Sequence, residues 1–298
     1  MRCVILILCA VSLKVEASDW LNRTIRVDLI VDQSTVNVRT FDPKFDSLVR
    51  SENILNGVNA TNGQYPWTIL TTAWSDQGNG FRFGTPCAGT IIASNFVLSD
   101  FHCVGQNLQP PANSIEANIG FAQWNSSRTP THFVGSYWYI EPSPENRPNI
   151  VLFRMNGTIT FNPNVHPIRL PFYRDFNYEG WSSLMLGFRS PDGPSTPHLQ
   201  SMEASIFNNN QCDFDSDFAD HDMCAIDSGE LYQGPITRFN SFTGGAWVVY
   251  EYADAGLVFV PVLVGIHQFQ FANQTASFGR ATRVSHFVDW IETLSAEN

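Results

Sequence analysis

The sequence predicts an all-β protein that ends in one helix, and three features support this prediction. Its 298 residues, 43% of them hydrophobic, are enough for a substantial buried core. Short runs of β-branched and aromatic residues, such as Phe96–Leu98 and Ile150–Phe153, recur between Gly, Pro, Asn and Asp, a pattern typical of a β-sandwich or barrel. Near the C-terminus the apolar spacing becomes helical, which predicts an amphipathic helix packed by one face. These apolar positions are Val284, Phe287, Val288, Ile291 and Leu294.

The amino-terminal segment has the pattern of a secretory signal peptide. Arg2 precedes the apolar run Cys3–Leu13, and small residues follow at Ala17 and Ser18. This order favours a signal peptide over residues 1–17, rather than a buried amphipathic helix. We therefore expect the chain to be secreted and extracellular.

Composition and charge exclude two classes of partner. The apolar segment 248–266 contains Glu251, Asp254 and Pro261, which suits strands better than a membrane span. The formal net charge of -11 would repel a phosphate backbone. We expect extracellular protein partners, no membrane and no nucleic acid.

Four cysteines remain once the signal peptide, with Cys3 and Cys9, has been removed. An even number in an oxidising compartment predicts two disulfides, with three pairings possible. No pair shows the close Cys-x-x-Cys spacing with partner histidines that zinc usually takes, so neither a metal nor a cofactor is predicted. The four are Cys87, Cys103, Cys212 and Cys224.

Five Asn-x-Ser/Thr sequons also favour an extracellular protein, because glycans attached there would lie on solvent-facing loops. The acceptor residues are Asn22, Asn59, Asn125, Asn156 and Asn273. Residues 18–53 form a polar leader, in which the alternating stretch Ile25–Val38 could pair as a strand or remain extended.

From residue 54 onward, a series of segments resembles, in order, the motifs of the trypsin/chymotrypsin family of serine proteases. The resemblance places the protease domain at residues 54–298. It implies two packed six-stranded antiparallel β-barrels with an active site in the cleft between them and a C-terminal α-helix, and it implies the pairings Cys87 with Cys103 and Cys212 with Cys224. The segments are Ile54–Gly57, Gly63–Trp67, Cys87–Ile92, Phe96–Cys103, Pro148–Phe153, Asp222–Ala225, Thr243–Ala246, Leu263–Ile266 and Thr282–Val284.

The catalytic triad implied by the resemblance is degenerate. That chemistry needs a serine nucleophile, a histidine base and an aspartate that orients the histidine. His102 stands at the base position, although Asp100 and Phe101 replace the small residues usual before it. The aspartate position is Asn149, a neutral amide that cannot stabilise an imidazolium. The nucleophile position is Thr243, whose methyl group restricts the rotamer and crowds the attack.

The positions that would bind substrate differ as well. Thr237 stands at the base of the specificity pocket, so no carboxylate selects Lys or Arg, and Phe239 replaces a disulfide cysteine that braces the pocket. Gln268 and Gln270 stand where a small serine and a glycine are expected along the strand that pairs with substrate. We expect their amides to narrow the groove.

The activation switch of the family also lacks its residues. Ile54 follows Asn53 rather than a basic residue, and Phe242 replaces the aspartate that would pair with a new amino terminus. An ammonium buried against Phe242 would have no partner. Ser241 stands where a glycine supplies an oxyanion-hole N–H.

These features predict an inactive homologue that acts as a binding or regulatory protein in an extracellular process such as a proteolytic cascade. The alternative is an endopeptidase of weak or unusual specificity that uses His102 and Thr243. A third hypothesis is a structural secretory glycoprotein without a cascade role.

Overall fold

The fold is described from a computed structural model of the chain. It covers residues 57–78, 81–104, 112–123, 132–133, 138–140, 149–189, 198–212, 218–227, 237–239, 243–253, 258–272 and 277–296. The predicted signal peptide and leader lie outside these ranges, as do Asn53, Ile54, Ser241 and Phe242.

The chain divides into two compact units. One comprises residues 48–251 and 259–298, and the other comprises residues 1–47 and 252–258. In the second unit only Tyr252, Ala253 and Val258 belong to the described ranges. The candidate site below lies in the first unit, and the predicted domain boundaries at 17 and 53 stay predictions.

Fifteen strands lie in the described part of the chain, and they form two sheets. Their bounds are β1 (Val58–Asn59), β2 (Thr68–Gly78), β3 (Phe81–Ala93), β4 (Phe96–Asp100), β5 (Ser114–Asn118), β6 (His132–Phe133), β7 (Trp138–Ile140), β8 (Ile150–Arg154), β9 (Ser182–Arg189), β10 (His198–Phe207), β11 (Asp222–Asp227), β12 (Thr237–Phe239), β13 (Ala246–Ala253), β14 (Val258–Ala272) and β15 (Ser277–Arg283).

The first sheet has seven strands in the order β6-β5-β2-β3-β4-β8-β7. Its neighbours pair antiparallel, with Thr90 opposite Leu98 and Leu98 opposite Leu152 at its centre. The predicted strand run Ile150–Phe153 is completely buried in β8. Such continuous burial explains why this run of four residues is apolar at every position rather than at alternate ones.

The second sheet closes into a barrel of six strands, in the order β9-β10-β11-β15-β14-β13 and back to β9. Two further strands extend it, with β1 beside β10 and β12 beside β14. Trp247 fills its centre, fully buried among Met185, Met223 and Val264. The described residues of the apolar segment 248–266 lie in strands β13 and β14, as predicted.

One α-helix, α1 (Val284–Ala296), follows β15. Its apolar positions face inward, because Val284, Phe287, Val288 and Ile291 are all buried. The predicted all-β architecture with a C-terminal helix is thus confirmed. The first sheet differs in detail from a closed six-stranded barrel, since its end strands β6 and β7 do not pair with each other in the described residues. Within those residues, no helix is both long and apolar enough to cross a membrane.

Two disulfides join the cysteines as the resemblance implied. Cys87 in β3 is bonded to Cys103, at the end of a 3₁₀ turn that follows β4 (Phe101–Cys103). Cys212 is bonded to Cys224 in β11. The first bridge fixes the segment that carries His102.

Candidate active site

His102 lies in the 3₁₀ turn at the end of β4. The turn begins at Asp100, whose carboxylate Oδ1 accepts a hydrogen bond from the backbone N–H of His102 at 2.7 Å. This is a side-chain cap of the kind that begins helical turns. The turn ends at Cys103, whose disulfide to Cys87 ties it to β3. His102 is therefore held between a cap and a covalent cross-link.

The imidazole of His102 is bound by the same carboxylate. Its Nδ1 lies 2.7 Å from Oδ1 of Asp100, and the Asp100 side chain is 0% exposed whereas that of His102 is 31% exposed. An ionised carboxylate can only accept, so beside it Nδ1 carries the proton and Nε2 is the nitrogen that can accept one. Asp100 is unusual at its position in the sequence, but this contact was not predicted. The feature of the sequence that could have predicted it is a carboxylate two residues before the histidine.

Asn149, at the aspartate position of the triad, directly precedes β8. Its carbonyl oxygen accepts a hydrogen bond from the N–H of Phe101 at 3.1 Å. Its side-chain Nδ2 lies 2.5 Å from Nε2 of His221. The His221 ring packs against His286 and Phe287 of α1, with ring centroids 5.8 and 5.6 Å apart. The amide thus bonds to a histidine that sequence reasoning did not single out.

Thr243 lies in the turn that leads into β13. Its backbone carbonyl accepts a hydrogen bond from the N–H of Ala88 at 2.9 Å, and its hydroxyl donates to the carbonyl of Gln268 at 3.1 Å. Ala88 follows Cys87, the disulfide partner of the residue after His102. The predicted base and nucleophile positions are thereby attached to the same short stretch of β3.

Gly244 explains how the Thr243 turn approaches β3 so closely. Its φ is +79°, and a Cβ at this position would lie 2.2 Å from the Ala88 carbonyl oxygen and 2.4 Å from Oγ of Ser99. Ser99 in turn donates to the Ala88 carbonyl at 2.7 Å. Only glycine combines this backbone conformation with this contact.

Gln268 has its side chain in the protein interior. It is 5% exposed, and its Nε2 donates to Oγ1 of Thr282 at 2.8 Å and to Oδ1 of Asp222 at 3.2 Å. Asp222 is itself buried and also accepts from Arg280 at 2.6 Å. An irregularity in the β14–β15 ladder between His267 and Phe269 accompanies this orientation. We expected this amide to narrow the groove. It lies inside the protein instead, because the Asp222 carboxylate and the Thr282 hydroxyl accept its hydrogen bonds.

The segment with the predicted pocket base, Thr237, forms strand β12 and pairs directly with β14. Thr237 is opposite Ala272 and Phe239 is opposite Gln270. By the resemblance, Thr237 belongs to the floor of the specificity pocket and Gln270 to the strand that pairs with substrate. Paired strands lie about 4.8 Å apart, which leaves no space between them for an inserted side chain.

The other predicted site residues divide into exposed and undescribed ones. Asn59 and Asn156 are exposed, and the Asn59 amide oxygen accepts a hydrogen bond from Gln200 at 2.7 Å. Asn22, Asn125 and Asn273 lie outside the described residues. Across the described ranges, no three His, Cys, Asp or Glu side chains are grouped as a metal site requires.

Comparisons with known proteins agree with this architecture. The trypsin family model matches residues 54–291. Serine protease 1 of Drosophila melanogaster is 27% identical over 248 residues, which cover 80% of this chain and 84% of the relative. The proclotting enzyme of Tachypleus tridentatus is 25% identical over 278 residues, which cover 80% of this chain and 65% of that protein.

A solved structure titled HL collagenase superposes with a TM-score of 0.61 at 20% identity, covering 82% of this chain and 99% of the other. That likeness supports the fold alone. Two β-sheets, a histidine in a disulfide-braced turn and a Thr-Gly-Gly turn bonded to β3 beside that disulfide define the class as a serine protease scaffold. The chain belongs to the trypsin family.

Proposed function

We propose that this trypsin-family protein does not hydrolyse peptides and acts instead by binding proteases or their substrates in an extracellular proteolytic cascade. The pairing of β12 with β14 is the observation that carries the proposal. A peptidase of this family must accept one substrate side chain in its specificity pocket. A backbone ladder between Phe239 and Gln270 occupies the space between two segments that the resemblance assigns to that pocket.

The nucleophile position supports the same proposal. A hydroxyl has one proton, and that of Thr243 is donated to the Gln268 carbonyl. An attacking hydroxyl must instead give its proton to the base. The threonine methyl further restricts rotation about χ1. The sequence before it, Ser241-Phe242, lacks the glycine and the aspartate with which the family builds its oxyanion hole.

The relatives support an extracellular cascade. The proclotting enzyme is named for a clotting reaction, and the predicted signal peptide and sequons favour secretion of this chain. A protease scaffold that retains its fold but has a closed pocket can still present the loops around its cleft to another protein. We infer that these loops bind the partner.

The inactivity is tested on the full chain expressed through a secretory pathway. A broad peptide library and a fluorophosphonate probe are applied to the wild type, to His102→Ala and to Thr243→Ala. We expect no cleavage and no labelling in all three, and an active trypsin-family protease serves as the positive control. Cleavage by the wild type that both substitutions abolish would overturn the proposal.

That outcome would establish the alternative, an endopeptidase that uses Thr243. One observation favours it, namely the 2.7 Å contact between the Asp100 carboxylate and the His102 imidazole, which keeps the base oriented. A library also reveals the residue preferred before the scissile bond. An active enzyme with the β12–β14 ladder should prefer small residues there.

The binding role is tested separately in a reconstituted reaction. The chain is titrated into an active trypsin-family protease from the same source, cleaving either its protein substrate or a short chromogenic peptide. We expect the rate on the protein substrate to change with concentration while the peptide rate stays constant. Constant rates on both, with no cross-linked partner in the native fluid, would favour the structural-glycoprotein hypothesis.

Secretion is tested through the sequons. Because Asn156 is exposed, we expect Asn156→Gln to remove one glycosidase-sensitive step in mass from the secreted protein. Thr158→Ala removes the same sequon without changing the asparagine, so it should give the same mass. A secreted product without glycan on any sequon would contradict this part of the proposal.

A further inference from the structure

We infer that Asp100 is the positioning residue of His102 in this protein, in place of the aspartate that the family carries at the position of Asn149. The carboxylate that orients the base comes from the end of β4 rather than from the start of β8. This inference goes beyond the proposed function and does not depend on whether the protein hydrolyses peptides.

The contacts of the His102 side chain hold it in one orientation. Oδ1 of Asp100 receives both the backbone N–H and the ring Nδ1 of His102, each at 2.7 Å. Because the two residues are separated only by Phe101, the turn itself fixes their relative position. The disulfide at Cys103 ties the end of the turn to β3. The imidazole is thus oriented by local structure, with no need for a carboxylate from another strand.

The two positions that can supply a carboxylate are neighbours in the first sheet. Asp100 is opposite Ile150 in the β4–β8 ladder, and Asn149 directly precedes Ile150. The N–H of Phe101 donates to the Asn149 carbonyl at 3.1 Å. Asp100 and Asn149 therefore lie at the same end of one strand pair, beside the turn that carries His102. A carboxylate at either position is close to that turn.

The chemistry of the pair follows from burial. A carboxylate that is 0% exposed loses most of its hydration, so it needs hydrogen-bond donors or a positive charge nearby. His102 supplies two donors, and its protonated ring would supply the charge. In return, Asp100 holds the Nδ1–H tautomer and stabilises the imidazolium, the two tasks of the aspartate in the triad. The base half of the machinery is intact, so the defects of this site lie at the nucleophile and the pocket.

The presence of asparagine rather than aspartate at position 149 is then explained. With Asp100 on Nδ1, position 149 is not required to carry charge, and its amide bonds to His221 near α1 instead. Position 149 is half-buried, and a carboxylate there would lie at the same end of the β4–β8 pair as Asp100, where two like charges would repel each other. Asparagine at 149 is thus consistent with aspartate at 100.

The inference is tested by NMR on the full chain labelled with 15N-histidine, where a strongly deshielded Nδ1 proton marks a histidine hydrogen-bonded to a carboxylate. His102→Gln assigns the signal. We expect Asp100→Asn to abolish the deshielded signal and Asn149→Ala to retain it. Loss in Asn149→Ala with retention in Asp100→Asn would overturn the inference and restore position 149 as the orienting position.

A second measurement covers the case in which Asp100→Asn does not fold. The nitrogen chemical shifts of wild-type His102 report its tautomer directly, and the inference requires the neutral ring to carry its proton on Nδ1. A ring protonated on Nε2 would overturn it. Neither measurement uses catalysis, so the outcome is distinct from that of the peptide-library test.

Discussion

Oδ1 of Asp100 lies 2.7 Å from Nδ1 of the His102 imidazole, and both residues belong to one turn of the chain. This relationship changes the interpretation of Asn149. The absence of aspartate at the family position does not leave the base without a carboxylate, because one is supplied from two residues upstream. The proposed lack of hydrolysis therefore rests on Thr243, on the residues that precede it and on the pocket.

Restoring the family's nucleophile should not restore activity. We expect Thr243→Ser, and Thr243→Ser combined with Asn149→Asp, to cleave no member of the peptide library, because the β12–β14 ladder and Phe242 are unchanged in both. The new carboxylate of the double variant faces His221 rather than an empty site. Peptide hydrolysis measured as kcat/KM checks this, and robust cleavage by either variant would sink it.

Gly244 should be far less tolerant of substitution than a glycine with the same backbone conformation elsewhere. Gly180 has φ +80°, against +79° for Gly244, but a Cβ at Gly180 meets nothing within 4 Å. Gly180→Ala should therefore lower the free energy of unfolding by only about 1–2 kcal/mol, the cost of the left-handed conformation. Gly244→Ala adds a clash with the Ala88 carbonyl, so we expect a larger loss or no secreted protein. Denaturant unfolding measures both, and equal losses would contradict the packing described here.

The two disulfides should contribute similarly to stability but differently to the candidate site. Each closes a short loop, with separations of 16 and 12 residues, and removal of either should lower the free energy of unfolding by about 3 kcal/mol. Replacing both Cys87 and Cys103 by Ala should also weaken the deshielded His102 signal, because the turn loses its tie to β3. The Cys212/Cys224 double variant is the matched control and should keep the signal. A signal unaffected by loss of the first bridge would show that the cap at Asp100 suffices.

Alkaline pH should destabilise the fold through Tyr178. Burial raises the pKa of the Tyr178 phenol above its ordinary value of 10.0, and the hydrogen bond to Glu251 raises it further. The unfolded chain therefore releases this proton at lower pH than the folded chain does. The stabilisation is complete below about pH 10 and is lost as the pH rises toward the folded-state pKa.

Tyr178→Phe tests this assignment. Its unfolding free energy should be lower near neutral pH, since the 2.6 Å bond to the Glu251 carboxylate is removed, and it should fall less steeply above pH 10. Tyr173→Phe is the control, because Tyr173 is 64% exposed, and it should follow the wild-type curve. An unchanged alkaline slope in Tyr178→Phe would contradict the assignment.

Much of the fold could be predicted because its determinants are local or covalent. The runs Phe96–Leu98 and Ile150–Phe153 became β4 and β8, since apolar β-branched and aromatic residues favour buried strands. The helical spacing from Val284 became α1 for the same kind of reason. The Thr-Gly-Gly turn was recognisable because Gly244 must adopt a positive φ beside another backbone.

The contacts within the candidate site could not be predicted from the sequence. Gln268 was expected to line the groove, yet its amide bonds to Asp222 and Thr282. The direction of a strand side chain depends on register, and the irregularity next to this residue changes it.

By itself, the sequence determined the family, the strand-rich class and, through the resemblance, the disulfide partners, while the assignment of residues 102, 149 and 243 to the triad positions stays a prediction. Only the tertiary structure decided which carboxylate meets His102, where the Thr243 proton goes and that β12 pairs with β14. The physical reason is the distance along the sequence over which each interaction acts. Periodicity and turn chemistry act within a few residues, whereas a hydrogen bond between Thr243 and Gln268, or a ladder between Phe239 and Gln270, exists only once distant strands have taken one register.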